Sequence, residues 1–261
     1  MSVLLEVNDL SKTYQHHLLP WRLKPIVALD KISFSLNAYE TMAIVGETGS
    51  GKSTLAKLLA GAENPSSGEI LLNGKKLKQA DNKTRCKHIR MIFQDPATSL
   101  NPSLSIGQIL EEPLKLNTNL TALERQEKIK KTLNRVGLLA DYIWHYPHML
   151  SSGQKQRIAL ARALILDPQI IVADKPFAAM DPSTRSQMVN LFLDLQQTFG
   201  LAYVFVTHNL NIVRHISDQL FVFSEGKVVE RGKTAEVLSN PRHVVTKKLL
   251  YSQQMLRKNK G

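Results

Sequence analysis

The sequence contains a single cysteine, Cys86, among its 261 residues. One thiol excludes an internal disulfide and any metal site built from several cysteines. No apolar run approaches the ~20 residues that a membrane-spanning helix needs. The opening stretch, MSVLLEV, lacks the basic start and the long apolar segment of a secretory signal. We therefore expect a cytosolic protein.

Acidic residues are few relative to basic ones. The chain has 22 Asp and Glu against 34 Lys and Arg, which gives a formal net charge of +12. Such an excess of positive charge is compatible with three kinds of partner: nucleic acid, the cytosolic face of a membrane protein, and anionic lipid head groups. The two short basic clusters, at 75–78 and 257–260, contain no aromatic side chains that would stack on bases. We therefore expect solvated charge rather than a nucleic-acid site.

What the chain does contain is a complete phosphate-binding loop pattern. Residues 46–53, GETGSGKS, match G-x-x-x-x-G-K-[ST] at every fixed position. Residues 41–45, of which 42–45 are apolar, predict a strand before the loop, and residues 54–60 predict a helix after it, as the motif requires. Glycines and a helix N-terminus bring N–H groups to an anion. We expect Lys52 to reach the β- and γ-phosphates of ATP and Ser53 to ligate Mg²⁺. The alternative is an accidental glycine-rich turn.

The order of predicted elements indicates an α/β fold with a largely parallel sheet. Strands are predicted at 70–72, 89–93, 170–173, 203–206 and 220–223. Helical periodicity dominates from about Pro96 to Leu166, as at 122–136, and predicts a helical insertion. The stretch from Gln15 to Pro25 is predicted to be a long exposed loop, and residues 252–261 a basic tail.

Two features follow the insertion. Asp174 ends the apolar strand at 170–173, and a carboxylate there is typical of the metal-binding half of a nucleotide site. The alternative is a plain strand-ending turn. Residues 150–154, LSSGQ, precede a predicted helix at 155–164 and read, taken alone, as an N-terminal cap.

Together these motifs resemble the ATP-binding subunits of ABC transporters, over nearly the whole chain. The resemblance implies a P-loop α/β cassette with a RecA-like core, an N-terminal antiparallel β subdomain and an inserted α-helical subdomain at about 96–166. It implies one ATP-binding domain, with the cassette at about 5–251. In that family the 150–154 signature contacts the γ-phosphate of ATP bound by the other subunit.

The resemblance assigns roles to particular residues. Tyr14 matches the aromatic that stacks on adenine, Gln94 the glutamine that senses Mg²⁺ and water, and His208 the switch histidine. Alternatively, Tyr14 is a packing residue, Gln94 a polar strand end and His208 a helix cap. The implied nucleotide-contacting set is Tyr14, Gly46, Glu47, Thr48, Gly49, Ser50, Gly51, Lys52, Ser53, Thr54, Ser151, Ser152, Gly153, Gln154 and Asp181. The implied Mg²⁺ set is Ser53, Gln94 and Asp174, and the implied catalytic set is Lys52, Gln94, Asp174, Lys175 and His208.

The resemblance narrows to one branch of the family. Residues 93–102 and 240–250 are similar to the oligopeptide and dipeptide importers. Residues 146–150, followed by residues 153–157, resemble the second ATP-binding subunit of a peptide system linked with antimicrobial-peptide uptake and, in some settings, polyamine transport. This implies a second ATP-binding subunit, integral membrane permeases and, indirectly, a periplasmic peptide-binding protein. It also implies a peripheral position on the cytosolic face of the inner membrane.

The chain departs from this family at Lys175, where the family places a water-polarising glutamate. A protonated lysine accepts no proton from water, and losing a general base typically costs a factor of about 10²–10⁴ in rate. A unit charge ~4 Å from a divalent ion is repelled by roughly 8 kcal/mol at most, at an effective dielectric near 20. We therefore expect Lys175 to turn away from Mg²⁺, hydrolysis to be impaired, and the chain to pair with a different ATPase subunit. Alternatively, Lys175 is solvated and His208 rescues hydrolysis. Ser152, where glycine is usual, should have a mild effect.

Overall fold

The computed structural model describes residues 3–19, 22–78, 82–94, 99–178 and 180–258. The chain divides into two compact units, one formed by Met1–Asp81 with Ala202–Gly261 and the other by Asn82–Leu201. Among the described residues, no helix combines the length and the apolar character needed to cross a bilayer.

An antiparallel sheet in the first unit is ordered β2-β1-β4-β5. Its strands are β1 (Val3–Leu19), β2 (Arg22–Asn37), β4 (Ser67–Leu72) and β5 (Lys75–Lys76). Leu5, Val7 and Leu10 of β1 are fully buried, and a register shift between Val7 and Leu10 keeps Leu10 buried with the other two. These residues place one face of the strand on the core. The predicted N-terminal antiparallel part is confirmed.

The loop predicted at 15–25 is wrong, because β1 and β2 pair through most of it. Gln15 lies opposite Pro25, and His17 lies opposite Leu23. Pro20 and Pro25 are turn signals when read locally. The pairing of β1 with β2 nevertheless runs from Val3 and Asn37, which are 34 positions apart, through to Leu19 and Arg22. Proline is tolerated on an edge strand because its missing N–H costs no ladder bond there. Trp21, which lies within the predicted loop, falls outside the described residues.

The first unit also contains the strand that leads into the phosphate-binding loop. In this unit β3 (Thr41–Gly46) runs parallel to β8 (Ala202–Val206) and to β9 (Gln219–Ser224). The antiparallel partner of β9 is β10 (Lys227–Lys233). Every residue of β3 is buried, as expected for a strand of a parallel sheet. The helices of this unit are α1 (Lys52–Ala60), α7 (Leu210–Ile216), α8 (Thr234–Ser239) and α9 (Val244–Lys258).

The second unit combines a parallel strand pair with helices. Strand β6 (Ile89–Ile92) pairs with β7 (Ile170–Asp174). The helices are α2 (Asn82–His88), α3 (Ile106–Asn117), α4 (Ala122–Arg135), α5 (Ser152–Leu164) and α6 (Pro182–Phe199), with short 3-10 turns at Ala140–Trp144 and Pro147–Met149. The predicted helical character of this region is thus present between 106 and 164, and Pro96 lies outside the described residues. The α/β fold class is confirmed.

Candidate nucleotide-binding site

The phosphate-binding loop joins β3 to α1, as its sequence predicts. Gly51 caps α1 in a left-handed conformation, with φ 98°. A Cβ at this position would lie 2.3 Å from the carbonyl oxygen of Ala28, so only glycine fits without a shift. The first turn of α1 contains no acidic residue, and its N–H groups have no intrahelical acceptors. This end of the helix is therefore suited to an anion.

Lys52 spans the loop. Its side chain is buried, and its Nζ donates to the carbonyl oxygen of Glu47 at 2.5 Å and to the Ser50 Oγ at 2.9 Å. Both acceptors belong to the loop itself, so the ammonium is held at the loop rather than in solvent. Ser53 and Thr54, predicted to contact nucleotide, lie in the first turn of α1 and are partly exposed, and Thr48 is exposed on the loop.

Tyr14 lies on β1 and bonds through its hydroxyl to Glu63. Burial raises the pKa of Tyr14, and the Glu63 carboxylate raises it further. The Lys12 Nζ lies 5.0 Å from the ring centroid, so a cation covers one face of the ring. The hydroxyl is therefore anchored and the ring is oriented, and stacking on adenine stays a prediction.

Asp174 is the last residue of β7, a strand buried along its whole length. The side chain is buried, and its Oδ1 accepts no hydrogen bond from the residues that the structure describes. A buried carboxylate oxygen without a donor is costly unless a cation or water serves it. Asp174 therefore fits Mg²⁺, which binds proteins through one or two carboxylates and completes its shell with water and phosphate.

Lys175 and Gln94 are brought together at the ends of β7 and β6. The Lys175 Nζ donates to the Gln94 Oε1 at 3.3 Å. The side-chain oxygen that the resemblance assigns to Mg²⁺ is thus bonded to an ammonium. Lys175 thus turns toward the neutral amide of Gln94.

The predicted signature residues form the start of α5, which begins at Ser152 and not at Lys155. Ser151 is the cap: its Oγ accepts from the Gln154 N–H at 3.3 Å, and the Gln154 Oε1 accepts from the Ser151 N–H at 2.9 Å. The Gln154 Nε2 donates to the Tyr142 hydroxyl at 2.7 Å. A Cβ on Gly153 would lie 2.8 Å from the Thr184 Cγ2. The capping interpretation is confirmed, because the Ser151 side chain satisfies one of the free N–H groups at the start of α5.

Asp181 and His208 occupy the starts of later helices. Asp181 caps α6 by accepting from the Thr184 N–H at 2.9 Å. Hydrogen bonding from the Thr184 side chain, and then from its N–H, lowers the pKa of Asp181. His208 is exposed, and Asn209, not His208, caps α7. The helix-cap alternative for His208 is therefore wrong.

Two contacts from α9 to these loops were not predicted. The Lys248 Nζ lies 2.7 Å from the Glu47 Oε1 and lowers the pKa of Glu47. The Gln253 side chain accepts from the Leu210 N–H at 3.1 Å and donates to the His208 carbonyl oxygen at 2.6 Å. Lys248 lies 201 residues from Glu47, and no sequence signal links positions so distant in one chain.

Comparison with known proteins supports the assignment of these residues to a nucleotide-binding site. Residues 29–178 match the family model described as ABC transporter. The Putrescine export system ATP-binding protein SapF of Escherichia coli (strain K12) is 50% identical over 250 residues, covering 96% of this chain and 93% of that protein. The Dipeptide transport ATP-binding protein DppF of Haemophilus influenzae is 47% identical over 237 residues, covering 90% of this chain and 72% of that protein.

Solved structures give the same answer for the fold. The dimeric ATP-binding cassette MJ0796, in a post-hydrolysis state bound to ADP and Pi, has a TM-score of 0.78 at 29% identity, covering 88% of this chain and 98% of that one. The predicted resemblance to the peptide-importer branch is confirmed. The predicted resemblance to the second ATP-binding subunit of a peptide system is also confirmed, and SapF is that subunit. This chain therefore belongs to the ABC transporter family, as one of its ATP-binding proteins.

Proposed function

We propose that this chain binds ATP and serves as one of two ATP-binding subunits of an ABC-type peptide transporter at the cytosolic face of the inner membrane. The observation that carries the proposal is the loop from Gly46 to Ser53, in which the buried Lys52 side chain donates a hydrogen bond to the Glu47 carbonyl oxygen. The names of the relatives point to peptides and, for one of them, to putrescine. The proposed partners are permease subunits, a second ATP-binding subunit and, indirectly, a periplasmic peptide-binding protein.

Each group of site residues has a binding role in the proposed function that follows from its chemistry. The loop N–H groups and Lys52 hold the phosphates, Tyr14 stacks on the adenine, and Asp174 with Ser53 holds Mg²⁺. Mg²⁺, when bound, offsets phosphate charge. Ser151, Ser152, Gly153 and Gln154 present a capped helix N-terminus to the γ-phosphate held by the partner subunit, and Asp181 lies at the dimer interface. We keep the division into a cassette at about 5–251 with a helical subdomain at about 96–166 as part of this proposal.

In the proposed dimer, each ATP site is formed by the phosphate-binding loop of one subunit and the signature residues of the other. Lys175 makes these two sites unequal. A site containing this chain's loop, Asp174 and Lys175 lacks a carboxylate that can accept a proton from water, so it holds ATP and turns it over slowly. A site built from this chain's signature and the partner's loop hydrolyses ATP. Heterodimer formation with a subunit that retains the glutamate follows from this division.

The second candidate function is a non-catalytic, ATP-dependent scaffold that assembles or regulates a membrane complex. The Lys175–Gln94 hydrogen bond favours it, because both side chains belong to the implied catalytic set. ATPase activity measured with and without a partner subunit separates the two functions. A transporter subunit gains activity with its partner, whereas a scaffold does not.

The test of the proposal is ATP binding. Lys52→Ala removes a charge-assisted phosphate contact worth about 1.5–3 kcal/mol, and should weaken binding by about 10- to 150-fold. Calorimetric titration of wild type and variant measures this directly. Equal affinity in both proteins would contradict the proposal. Lys75→Ala, at an exposed position on β5 of the same unit, is the matched control and should bind as wild type does.

A further inference from the structure

The Gln253 side chain on α9 binds the backbone on both sides of Asn209. Its Oε1 accepts from the Leu210 N–H at 3.1 Å, and its Nε2 donates to the His208 carbonyl oxygen at 2.6 Å. A carboxamide is suited to this contact, because it presents one acceptor and one donor side by side. The two backbone partners also fix the orientation of the amide, so Gln253 acts on the path of the main chain.

Other hydrogen bonds hold the same short segment between β8 and α7. The Asn209 N–H donates to the Thr207 Oγ1 at 3.1 Å, and the Asn209 Oδ1 accepts from two N–H groups of α7. The Leu210 N–H lies in the first turn of α7, where N–H groups lack an intrahelical acceptor, and Gln253 supplies one. The backbone around His208 is therefore fixed, while His208 itself is exposed.

Packing gives α9 a defined place in this unit. Three partly buried apolar side chains of α9 pack on a buried cluster drawn from β3, α7, α8 and β9: Val245, Leu249 and Leu250. Just before the helix, the Glu230 carboxylate accepts from the N–H groups of Arg242 and His243 at 2.8 and 3.0 Å. Because α9 is anchored at its start and along one side, Gln253 meets the segment after β8 at a fixed position.

This segment and the phosphate-binding loop leave the same edge of the sheet. Strands β3 and β8 are parallel neighbours, with Ile44 opposite Val206, and the Thr207 N–H donates to the Ile44 carbonyl oxygen at 3.1 Å. Neighbouring strands lie about 4.8 Å apart, and each of these two ends within two residues of that pair. His208 is thus at the sheet edge from which the phosphate-binding loop begins.

A second contact from α9 reaches the phosphate-binding loop itself. The Lys248 Nζ lies 2.7 Å from the Glu47 Oε1, but the two side chains are 68% and 52% exposed. Exposed ion pairs contribute little, because water and salt screen them. Of the two contacts that α9 makes with these loops, the one from Gln253 therefore carries the inference.

We propose that Gln253 is a positioning residue for His208. By holding the backbone on both sides of Asn209, Gln253 fixes where the exposed imidazole lies at the edge of the ATP site. The inference rests on the proposed function, in which the loop from Gly46 to Ser53 binds ATP. Gln253 acts through the main chain, so it sets the response of His208 to ATP and leaves the affinity for ATP to the loop.

The experiment follows the His208 imidazole by NMR in the full chain with isotope-labelled histidine, at constant pH. The sequence contains eight histidines, and the His208 signal is the one that His208→Gln removes. Saturating ATP with Mg²⁺ should shift this signal in wild type. Gln253→Met keeps the length of the side chain but makes neither hydrogen bond, so the shift should be at least halved.

Three further measurements make the test specific. Calorimetric titration should give an ATP affinity for Gln253→Met within about threefold of wild type. Gln253→Glu keeps an acceptor for the Leu210 N–H but loses the donor to the His208 carbonyl oxygen, and its shift should be intermediate. Lys247→Met introduces the same residue at an exposed position of α9, and should keep the wild-type shift.

A full His208 shift in Gln253→Met would overturn the inference, whatever happens to the thermal midpoint, because Gln253 would then only stabilise α9. An equal loss of the shift in Lys247→Met would also overturn it, since the effect would not belong to Gln253. ATP binding by wild type without any His208 shift would contradict the inference and leave the proposed function standing. Absence of ATP binding in wild type would contradict both. Gln253→Glu keeps the test decisive if Gln253→Met does not fold.

Discussion

Replacing Gly51 by alanine should weaken the phosphate-binding loop more than the same change at Gly49. Both glycines have positive φ, 98° at Gly51 and 82° at Gly49. A Cβ at Gly49 would meet nothing within 4 Å, whereas a Cβ at Gly51 would lie 2.3 Å from the Ala28 carbonyl oxygen and 2.9 Å from the Leu29 Cδ2. The pair therefore separates backbone strain from steric overlap.

The magnitudes follow from these two terms. Holding alanine in a left-handed conformation costs about 1–2 kcal/mol, and the lower entropy of the unfolded chain returns about 0.4–1 kcal/mol. Gly49→Ala should therefore destabilise the protein by about 1 kcal/mol. Gly51→Ala adds an overlap with backbone, and overpacking of this kind costs about 1–3 kcal/mol.

Thermal unfolding followed by circular dichroism measures the difference. A change of 1 kcal/mol shifts the midpoint of a domain of this size by about 2–4 °C, so Gly51→Ala should unfold about 2–12 °C below Gly49→Ala. Gly51→Ala should also bind ATP more weakly, because relief of the overlap moves the loop N–H groups. Equal midpoints and equal ATP affinities in the two variants would refute the reasoning.

Two further predictions concern particular side chains. Tyr14→Ala should weaken ATP binding and Tyr14→Trp should preserve it, since only an aromatic face is required; equal calorimetric affinities for the two variants would make Tyr14 a packing residue. Burial of Asp167 raises its pKa, but hydrogen bonds from Lys128 and Arg135, at 2.6 and 2.8 Å, lower the pKa overall. The folded state thus favours the carboxylate, and its contribution to stability is present above the ordinary pKa near 4 and is lost as pH falls through the lowered value. Asp167→Asn should flatten the fall of the thermal midpoint between about pH 5 and pH 3, and an unchanged slope would contradict this assignment.

The sequence pattern predicted correctly those parts of the site whose structure depends on residues close together in the chain. The loop glycines, the apolar residues before them and Lys52 lie within a dozen positions, and their strand–loop–helix context could be predicted. Asp174 was placed correctly because it follows an uninterrupted apolar run. The cap at Ser151 was also readable, since a serine cap and its partner Gln154 are three residues apart.

Strand pairing and side-chain contacts between residues distant in the sequence could not be predicted from it. The hairpin through 15–25 depends on the pairing of β1 with β2, while local proline signals favour a loop. The hydrogen bond from Lys175 to Gln94 joins residues 81 positions apart, and the ion pair from Lys248 to Glu47 joins residues 201 apart. Such contacts depend on sheet register and helix placement, which only the assembled fold determines.

Steady-state phosphate release by wild type and Lys175→Glu, at equal ATP occupancy, tests most directly the claim that this chain binds ATP but hydrolyses it poorly. Lys131→Glu is the control for charge alone. We expect slow turnover in wild type and in the control, and a rise of up to about 10²-fold in Lys175→Glu, where a proton acceptor follows Asp174. Wild-type turnover that already matches ordinary ABC ATPases, with no gain in Lys175→Glu, would contradict the account, because it would show that another group orients the attacking water.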